Sequence, residues 1–189
     1  MEITKKLFLF DIDGTLSKYG SLKVDFWQVT IKENFGISTS RQEIYVAGKT
    51  DAEILIELLK LKGVEQPEKH ELFAKTLFDI GELGVMYVRE FPPLPVENVK
   101  ILLEKLLQNN QGLGLLTGNV KKRALAKIKS LGFSDYFSPL IGAFGDDALK
   151  RSDLVAVALR SAEEKIKIKF AKSYVYLICY TVRDIWCAK

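Results

Sequence analysis

Two carboxylates separated by a single residue, Asp11 and Asp13, directly follow a short run of apolar residues at positions 7–10. A continuous apolar run of this length that ends in a turn signal predicts a strand buried on both faces, as in a parallel sheet. Asp11 would then lie at the carboxyl end of the strand, where open α/β sheets bind ligands, and Gly14 would let the chain turn just beyond it. Because a buried charge is costly unless it is paired or bound to a metal, these acids indicate a functional site.

Three interpretations of this stretch compete. The first is a plain strand that ends in a turn, the second is a calcium-binding loop, and the third is a phosphoryl-transfer site with Asp11 as nucleophile and Asp13 as acid and base. A calcium loop of the EF-hand type would follow a helix and would carry a Glu at its twelfth position, which is Leu22 here. Aspartyl-phosphate chemistry needs a carboxylate presented in this way, so the third interpretation is favoured.

A second strand, turn and helix place polar residues in equivalent positions far along the chain. Residues 113–116 predict a short apolar strand, Thr117, Gly118 and Asn119 follow it, and a helix is predicted over 120–131. The N-terminus of a helix presents free N–H groups and partial positive charge, which suit a phosphate. The simpler interpretation is that Asn119 only caps the helix and Gly118 only makes the turn.

The elements that must position these residues predict an α/β fold. We expect a Rossmann-like parallel sheet of about four strands, with the first strand central and helices on both faces. Residues 17–91 carry helical patterns and no convincing strand, and the proline-rich stretch 91–95 is a stiff connector. The sequence therefore predicts two units: a core domain of residues 1–16 and 92–189, and an inserted helical cap of residues 17–91.

Apolar spacing and capping signals give the separate elements. In the cap we expect helices over residues 24–35, from the capping box at Thr50 to Gly63, and from Pro67 to about Arg89. In the core we expect strands over residues 139–144 and 174–178 and an amphipathic helix over 96–109. The residues predicted to face inward from that helix are Val99, Leu102, Leu103, Leu106 and Leu107.

Composition narrows the function classes. The chain has 189 residues, 48% of them apolar and 28% charged, which is ordinary for a globular protein with a substantial core. The net charge of +4 comes without a long run of one sign, so nucleic acid is not an indicated partner. No stretch has transmembrane length and the apolar run before Asp11 is too short for a signal peptide, so we expect a cytoplasmic protein without a membrane partner. Cys179 and Cys187 indicate neither a disulfide framework nor a zinc site.

Residues 10–16, Phe-Asp-Ile-Asp-Gly-Thr-Leu, resemble the first motif of the haloacid dehalogenase-like hydrolase superfamily. The resemblance, which is to the phosphoglycolate phosphatase-like branch, implies that Asp11 attacks phosphorus. It implies that Asp13 protonates the leaving alcohol and then activates water. It also implies a Mg²⁺ ion held by the Asp11 carboxylate, the Asp13 backbone carbonyl and, through water, Asp184. Residues 116–119 resemble the second motif, in which Thr117 and its neighbours bind the phosphoryl group.

The same resemblance assigns a third motif and a cap loop. The third motif is a lone basic residue that steadies the nucleophile and the phosphate, and Arg151 is its nearest equivalent, with Lys150 second. In the family a helical cap closes over the active site, so the loop at residues 48–51 would face the substrate and Lys49 would contact it. The alternative is that Gly48 ends one helix and Thr50 caps the next.

The fourth motif departs from the family pattern. Thr181 and Asp184 match it, but Cys179 replaces its Gly and Tyr180 replaces its first Asp, which in the family holds magnesium directly. A neutral Tyr is a poor ligand for Mg²⁺, which prefers hard anionic oxygens. The chain is also shorter than its relatives after this point, so strand 174–178 would be an exposed edge. We therefore expect a marginal fold or a homodimer formed through that edge.

The sequence thus predicts a Mg²⁺-dependent phosphatase that hydrolyses a small phosphorylated metabolite through an aspartyl phosphate. Two alternatives stay open. One is a phosphomutase similar to β-phosphoglucomutase, which would share Asp11 and Asp13. The other is a catalytically impaired relative that binds phosphorylated ligands or partners through its cap, which Tyr180 favours.

Overall fold

The centre of the fold is a parallel sheet of short strands. The computed structural model describes residues 5–18 and 25–179, and in these ranges its strands are β1 Leu7–Phe10, β2 Gly112–Leu116, β3 Gly142–Ala143 and β4 Val175–Ile178. They lie in the order β3-β2-β1-β4, and all neighbours run parallel. The predicted α/β class, the parallel sheet and the central position of the first strand are confirmed. Phe10 is opposite Leu115 of β2 and Ile178 of β4, so the carboxyl ends of these three strands meet at one edge.

Six α-helices surround or extend from this sheet within the described ranges. They are α1 Phe26–Phe35, α2 Asp51–Leu61, α3 Leu72–Glu90, α4 Val99–Gln108, α5 Lys121–Ser130 and α6 Arg151–Ile166. Short 3₁₀ turns occur at Arg41–Glu43, Pro67–Lys69, Ser134–Phe137 and Lys172–Tyr174. Among residues 5–18 and 25–179, no helix combines the length and the apolar character that crossing a bilayer requires.

Buried apolar side chains fall into three clusters that follow the order of the chain. The buried residues of one cluster all lie between positions 26 and 80, and its half-buried partners lie between positions 35 and 87. This cluster holds α1, α2 and α3 together. The other two clusters pack against the two faces of the sheet and draw only on residues 7–16 and 96–178. The division into core and cap stays a prediction, and this separation of apolar side chains supports it.

The third cap helix differs from its prediction. Pro67 begins a 3₁₀ turn and not a long helix, and α3 starts only at Leu72. Gly81 and Gly84, which are poor helix residues, nevertheless lie inside one continuous helix. A Cβ atom at Gly84 would lie 2.5 Å from Cδ of Arg123, and one at Gly81 would lie 3.3 Å from a methyl carbon of Val120. The two glycines therefore allow α3 to lie close against α5 of the core.

Helix α4 buries a narrower stripe than predicted. Val99 and Leu103 are buried and Leu106 packs against the core cluster, but Leu102 and Leu107 are 42% and 43% exposed. The prediction was wrong for these two leucines because α4 contacts the sheet along only one line of its surface, and residues one position away from that line point to solvent.

Strand β4 lies at one edge of the described sheet, beside β1. Tyr176 of this strand and Tyr174 just before it are each 39% exposed, and the Tyr176 ring stacks on Phe8 at a centroid distance of 5.1 Å. A homodimer through this edge stays a prediction. The fourth-motif positions Tyr180, Thr181 and Asp184 lie outside the described residues.

The two neighbouring leucines of α4 give a matched test of the core. Leu103→Ala should lower the free energy of unfolding by about 2–5 kcal/mol, because it leaves a cavity beneath β2. Leu102→Ala, at an exposed site in the same helix, should change it by no more than about 0.5 kcal/mol. Urea unfolding followed by circular dichroism measures both, and equal losses would contradict the assigned orientation of α4.

Candidate active site

Asp11 emerges from the carboxyl end of β1 and is held there by the backbone. Its N–H donates to the carbonyl of Ile178 at 2.9 Å, and its Oδ1 accepts from the N–H of Ile12 at 2.8 Å. Beyond it, Gly14 adopts a φ of 81°, which a residue with a side chain rarely adopts, and the chain turns back. The residue Asp11 is only 6% exposed and lines a cavity together with Asp13, and the site predicted from these two residues stays a prediction.

Arg151 supplies the charge that a buried carboxylate requires. Its Nη2 lies 3.0 Å from Oδ2 of Asp11, and both side chains are less than 10% exposed. Arg151 is the first residue of α6, whereas Lys150 precedes the helix and is exposed. The geometry therefore brings Arg151, and not Lys150, to the candidate nucleophile.

Asp13 belongs to a three-residue network that sequence reasoning did not identify. Lys127 of α5 donates to Oδ1 and Oδ2 of Asp13 at 2.7 and 2.6 Å, and to Oδ1 of Asn119 at 2.8 Å. Asn119 in turn donates from Nδ2 to Asp13 at 2.9 Å. The interpretation of Asn119 as a helix cap is wrong, because α5 has Val120 at its N-cap and no side-chain cap. Asn119 instead joins the two loops that follow β1 and β2.

This network determines the charge state of Asp13. Burial by itself would raise the pKa of the Asp13 carboxyl, but the Lys127 ammonium, the more distant Arg123 and the Asn119 amide outweigh burial and hold the pKa well below its usual range. Asp13 is therefore ionised at neutral pH. With about a third of its side chain exposed, it faces the same cavity as Asp11.

The loop after β2, residues 117–119, contacts the cap loop and also lines the cavity. Thr117 is fully buried, and its Oγ1 accepts from Nδ2 of Asn119 at 3.0 Å. A Cβ atom at Gly118 would lie 2.0 Å from the carbonyl oxygen of Lys49, so Gly118 is required by the close approach of the cap loop. Thr117, Gly118 and Asn119 stay candidates for phosphate binding, and Gly118 and Asn119 line the cavity.

The N-terminus of α5 already binds carboxylates. The N–H of Val120 donates to Asp51 at 2.7 Å, and that of Lys121 donates to Asp146 at 2.8 Å. We expected these N–H groups to be free for a phosphate, and that expectation was wrong. The reason is that Asp51 and Asp146 lie at the helix end, and their carboxylates accept hydrogen bonds from two of its N–H groups.

A buried ion pair joins the cap to the core. Thr50 forms the predicted capping box with Glu53 and starts α2, and its hydroxyl also donates to the carbonyl of Leu149 at 2.7 Å. Asp51 accepts twice from Nη2 of Arg123, at 2.8 Å to each oxygen, with both side chains at most 6% exposed. Breaking such a pair leaves an uncompensated buried charge, so this contact fixes the position of the cap loop.

Lys49 lies in this cap loop and lines the cavity, but its ammonium is paired with Glu57. Its role in substrate binding stays a prediction.

The cavity beneath the cap has a volume of about 1040 Å³ and is strongly charged. The described cationic residues that line it are Lys18, Arg41, Lys49, Arg123, Lys127 and Arg151, and the acidic ones are Asp11, Asp13, Asp51 and Glu90.

The candidate ligand atoms are of the type that Mg²⁺ prefers. The Asp11 carboxylate and the Asp13 backbone carbonyl are hard oxygens at the carboxyl end of β1. Within residues 5–18 and 25–179, no group of three or more His, Cys, Asp or Glu side chains forms a metal site. The third implied ligand, Asp184, lies outside these ranges, so the described residues supply only part of the implied site.

Three cationic residues that line the cavity could not be predicted from the sequence. Arg123 and Lys127 lie on α5 next to its apolar stripe, and Arg41 lies in a polar turn of the cap. Charged residues at such positions are usually solvated, so their burial against the cavity follows from tertiary packing alone. The only hint was that α5 directly follows the residues of the second motif.

Comparisons with known proteins identify the family and the fold. The model of the haloacid dehalogenase-like hydrolase family matches residues 5–175. Among solved structures, CbbY from Rhodobacter sphaeroides in complex with phosphate matches with a TM-score of 0.73 and 16% identity, covering 97% of this chain and 81% of CbbY. A putative phosphoglycolate phosphatase from Lactobacillus plantarum matches with a TM-score of 0.61 and 20% identity over 98% and 82% of the two chains.

A putative β-phosphoglucomutase from Thermotoga maritima is more distant, with a TM-score of 0.51 and 15% identity over 91% of this chain and 74% of that one. At these identities the likeness shows a shared fold. No protein of curated function matches the sequence.

The Asp13 network predicts a change in acid titration. Lys127→Met should raise the pKa of Asp13 towards or above the ordinary value of about 3.9, because burial would then act without the nearby ammonium. Stability contributed by the lowered pKa is present above the unfolded value and is lost as pH falls, so the variant should lose less stability between about pH 5 and pH 2. Carboxyl NMR titration measures the pKa, and Lys129→Met, at an exposed site on the same helix, is the control. An unchanged Asp13 pKa in Lys127→Met would contradict the network.

Proposed function

The chain belongs to the haloacid dehalogenase-like hydrolase family, and from this premise we propose that it is a phosphatase that hydrolyses a small phosphorylated metabolite through an aspartyl-phosphate intermediate. The observation that supports this most directly is the Asp11 carboxylate, fixed at the end of the central strand, paired with Arg151 and facing a cavity closed by the cap. We place the chain in the phosphoglycolate phosphatase-like branch of the family because its cap is helical and inserted after the first motif.

In the first half of the reaction, Asp11 attacks the phosphorus atom and the bond to the leaving alcohol breaks. The guanidinium of Arg151 would orient the carboxylate and would also neutralise charge on the transferring group, because its Nη2 is already within 3.0 Å of the nucleophile. The hydroxyl of Thr117 and the backbone of Gly118 would contact the other phosphoryl oxygens. For the alcohol to leave with a proton from Asp13, this carboxylate must first take up a proton when the anionic phosphate binds beside it, since a nearby negative charge raises the pKa of a carboxyl.

In the second half, water attacks the aspartyl phosphate and frees Asp11. Asp13 accepts the proton of that water. Its pairing with Lys127 keeps the side chain in the carboxylate form that can accept this proton, and the same ammonium charge lowers the basicity of that carboxylate. Asn119 and Lys127 also fix the direction in which the carboxylate points.

We propose Mg²⁺ as the cofactor, which the Asp11 carboxylate, the Asp13 backbone carbonyl and, through water, Asp184 would hold. When bound, the ion would shield the phosphate from the incoming carboxylate and stabilise charge that develops on the phosphoryl oxygens. The cap would exclude water from the cavity during the first half, and the buried pair between Asp51 and Arg123 would hold it in place.

Two other functions have specific support. Asp11 and Asp13 are equally suited to a phosphomutase, in which the aspartyl phosphate is passed to a second sugar hydroxyl instead of water. Tyr180, at the position of a direct magnesium ligand in the family motif, instead favours an impaired relative that binds phosphorylated ligands. Product analysis with sugar phosphates distinguishes the first alternative, and magnesium binding distinguishes the second.

Removal of the nucleophile tests the phosphatase directly. Asp11→Asn should lower the release of phosphate from p-nitrophenyl phosphate by roughly 10³-fold or more, because an amide cannot form the intermediate. Asp135→Asn, an exposed change in a 3₁₀ turn of the core, should leave turnover unchanged. Wild-type turnover in Asp11→Asn would remove residue 11 from the mechanism.

Magnesium dependence separates the enzyme from the impaired relative. We expect EDTA to stop phosphate release and Mg²⁺ to restore it, and we expect Tyr180→Asp to tighten magnesium binding and raise activity, because it adds an anionic oxygen ligand. Isothermal titration calorimetry gives the affinity. The impaired relative would be favoured if the wild type bound no Mg²⁺ at millimolar concentration and Tyr180→Asp had no activity.

A further inference from the structure

Part of the cavity lining consists of apolar residues that the proposed mechanism does not use. They come from the last turn of α3 and from the connector that follows it, residues 91–95. The charged groups around Asp11 and Asp13 come instead from the loops and helices of the core. The lining residues that we call the apolar wall are Tyr87, Val88, Phe91, Pro92, Pro93 and Leu94.

Aromatic rings lie side by side at the start of the apolar wall. The centroid of the Tyr87 ring lies 4.9 Å from that of Phe91 and 5.5 Å from that of Phe26, and all three residues line the cavity. Phe26 is buried, whereas Tyr87 and Phe91 are half-buried, so part of each of these two residues stays accessible. Neighbouring rings of this kind offer a planar group a large apolar contact in an offset or edge-to-face arrangement.

The connector continues the apolar wall with residues that are more exposed. Leu94 is 67% exposed although it lines the cavity, and Pro92 is exposed as well. The charged lining residues next to this part of the chain, Lys18 and Glu90, are also exposed, so water can hydrate both charges. Apolar surface inside a cavity is typical of a place where a ligand displaces water.

Backbone contacts connect the apolar wall to the loop that bears both catalytic acids. The N–H of Lys18 donates to the carbonyl of Leu94 at 2.9 Å, and Ser17 pairs with Pro95 in an isolated antiparallel bridge. The hydroxyl of Ser17 also donates to Oδ1 of Asp13 at 3.3 Å. The connector is therefore held directly against the segment that follows β1, and the position of the wall relative to the two acids is set by these contacts.

The two parts of the cavity suit different parts of one ligand. The core part offers cations and hydrogen-bond donors, which suit a phosphoryl group, whereas the apolar wall offers hydrocarbon and ring faces. A fully hydrophilic leaving group would lose hydration against the wall without gaining hydrogen bonds in return. The cavity volume of about 1040 Å³ leaves room for a ring beside the phosphoryl group.

We propose that the apolar wall binds an aromatic ring in the leaving group of the substrate. This rests on the proposed function and narrows it to phosphate monoesters of an alcohol that carries such a ring, which is either a nucleobase on a sugar or an aryl group. The phosphoryl group reacts at Asp11 while the ring lies against Tyr87 and Phe91. The end of α3 and the connector then select the alcohol.

The test compares phosphate esters that differ in a ring and carry the same charge. Uridine monophosphate and ribose 5-phosphate differ in the nucleobase, and 2-phenylethyl phosphate and ethyl phosphate differ in a phenyl group. In at least one pair, kcat/KM of the wild type should be about 10- to 100-fold higher for the ester with the ring, as expected when a ring stacks on an aromatic side chain. The pair that shows the preference identifies the ring.

Variants of the two accessible rings test the apolar wall itself. Tyr87→Leu and Phe91→Leu each remove a ring and keep apolar bulk. Each should lower the ratio of the two kcat/KM values in the preferred pair by about 3- to 10-fold, mainly through KM of the ester with the ring. Tyr87→Phe keeps the ring and should retain the wild-type ratio. Phe78→Leu should also retain it, since this ring lies on α3 outside the cavity and is 62% exposed.

Two results would overturn the proposal. One is a ratio near one in both pairs for the wild type, and the other is the wild-type ratio in both Tyr87→Leu and Phe91→Leu. Because the two esters are compared in the same protein sample, a loss of folded protein lowers both rates alike and leaves the ratio unaltered.

The experiment also distinguishes this proposal from the function on which it rests. If the wild type releases phosphate from none of the four esters, the phosphatase proposal fails, and calorimetric titration with the same esters then tests the apolar wall alone. Tighter binding of the ester with the ring, lost in Tyr87→Leu and Phe91→Leu, would still support it. Equal affinities for the two esters of both pairs would overturn it.

Discussion

Three carboxylates lie buried or half-buried near the carboxyl edge of this sheet, and the fold supplies a cation to each. Asp11 is paired with Arg151 from the start of α6. Asp13 is paired with Lys127, and Asp51 with Arg123, both from α5. Because an unpaired charge in such a place would be strongly destabilising, the positions of the two helices, the loops and the cap depend on one another.

The arrangement also requires glycine where two segments of the chain lie too close together for a side chain. The carbonyl of Lys49 occupies the space that a side chain at Gly118 would fill, and the carbonyl of Gly118 in turn lies where a Cβ of Gly145 would be. In the same way, the Arg123 side chain occupies the space that a side chain at Gly84 of α3 would fill. These close backbone approaches bring the cap loop into contact with the two loops of the core that follow β2 and β3. The cap loop and the core loops on the two sides of the cavity are therefore in direct contact, and this contact fixes the distance between them.

The sequence predicted the parallel sheet, its central strand and the family from strong local signals. The run Leu7–Phe10 followed by two acids is one such signal, and the capping box at Thr50 is another. Arg151 could be named because a family motif pointed to it. Lys127 and Arg123 could not be, since a basic residue on an amphipathic helix is usually solvated. Here Arg123 lies against Gly84 of α3 and pairs with Asp51, and Lys127 pairs with Asp13. The start of α5 was expected to bind phosphate, and the structure instead shows carboxylates of the protein itself at that helix end.

The stereochemical course of phosphoryl transfer tests the central claim, attack by a side chain of the protein, most directly. With a substrate whose phosphoryl group is made chiral by oxygen isotopes and sulfur, transfer through Asp11 consists of two in-line displacements. We expect phosphate to be released with overall retention of configuration at phosphorus. Inversion would show that water attacks the substrate directly, and it would contradict the proposed mechanism.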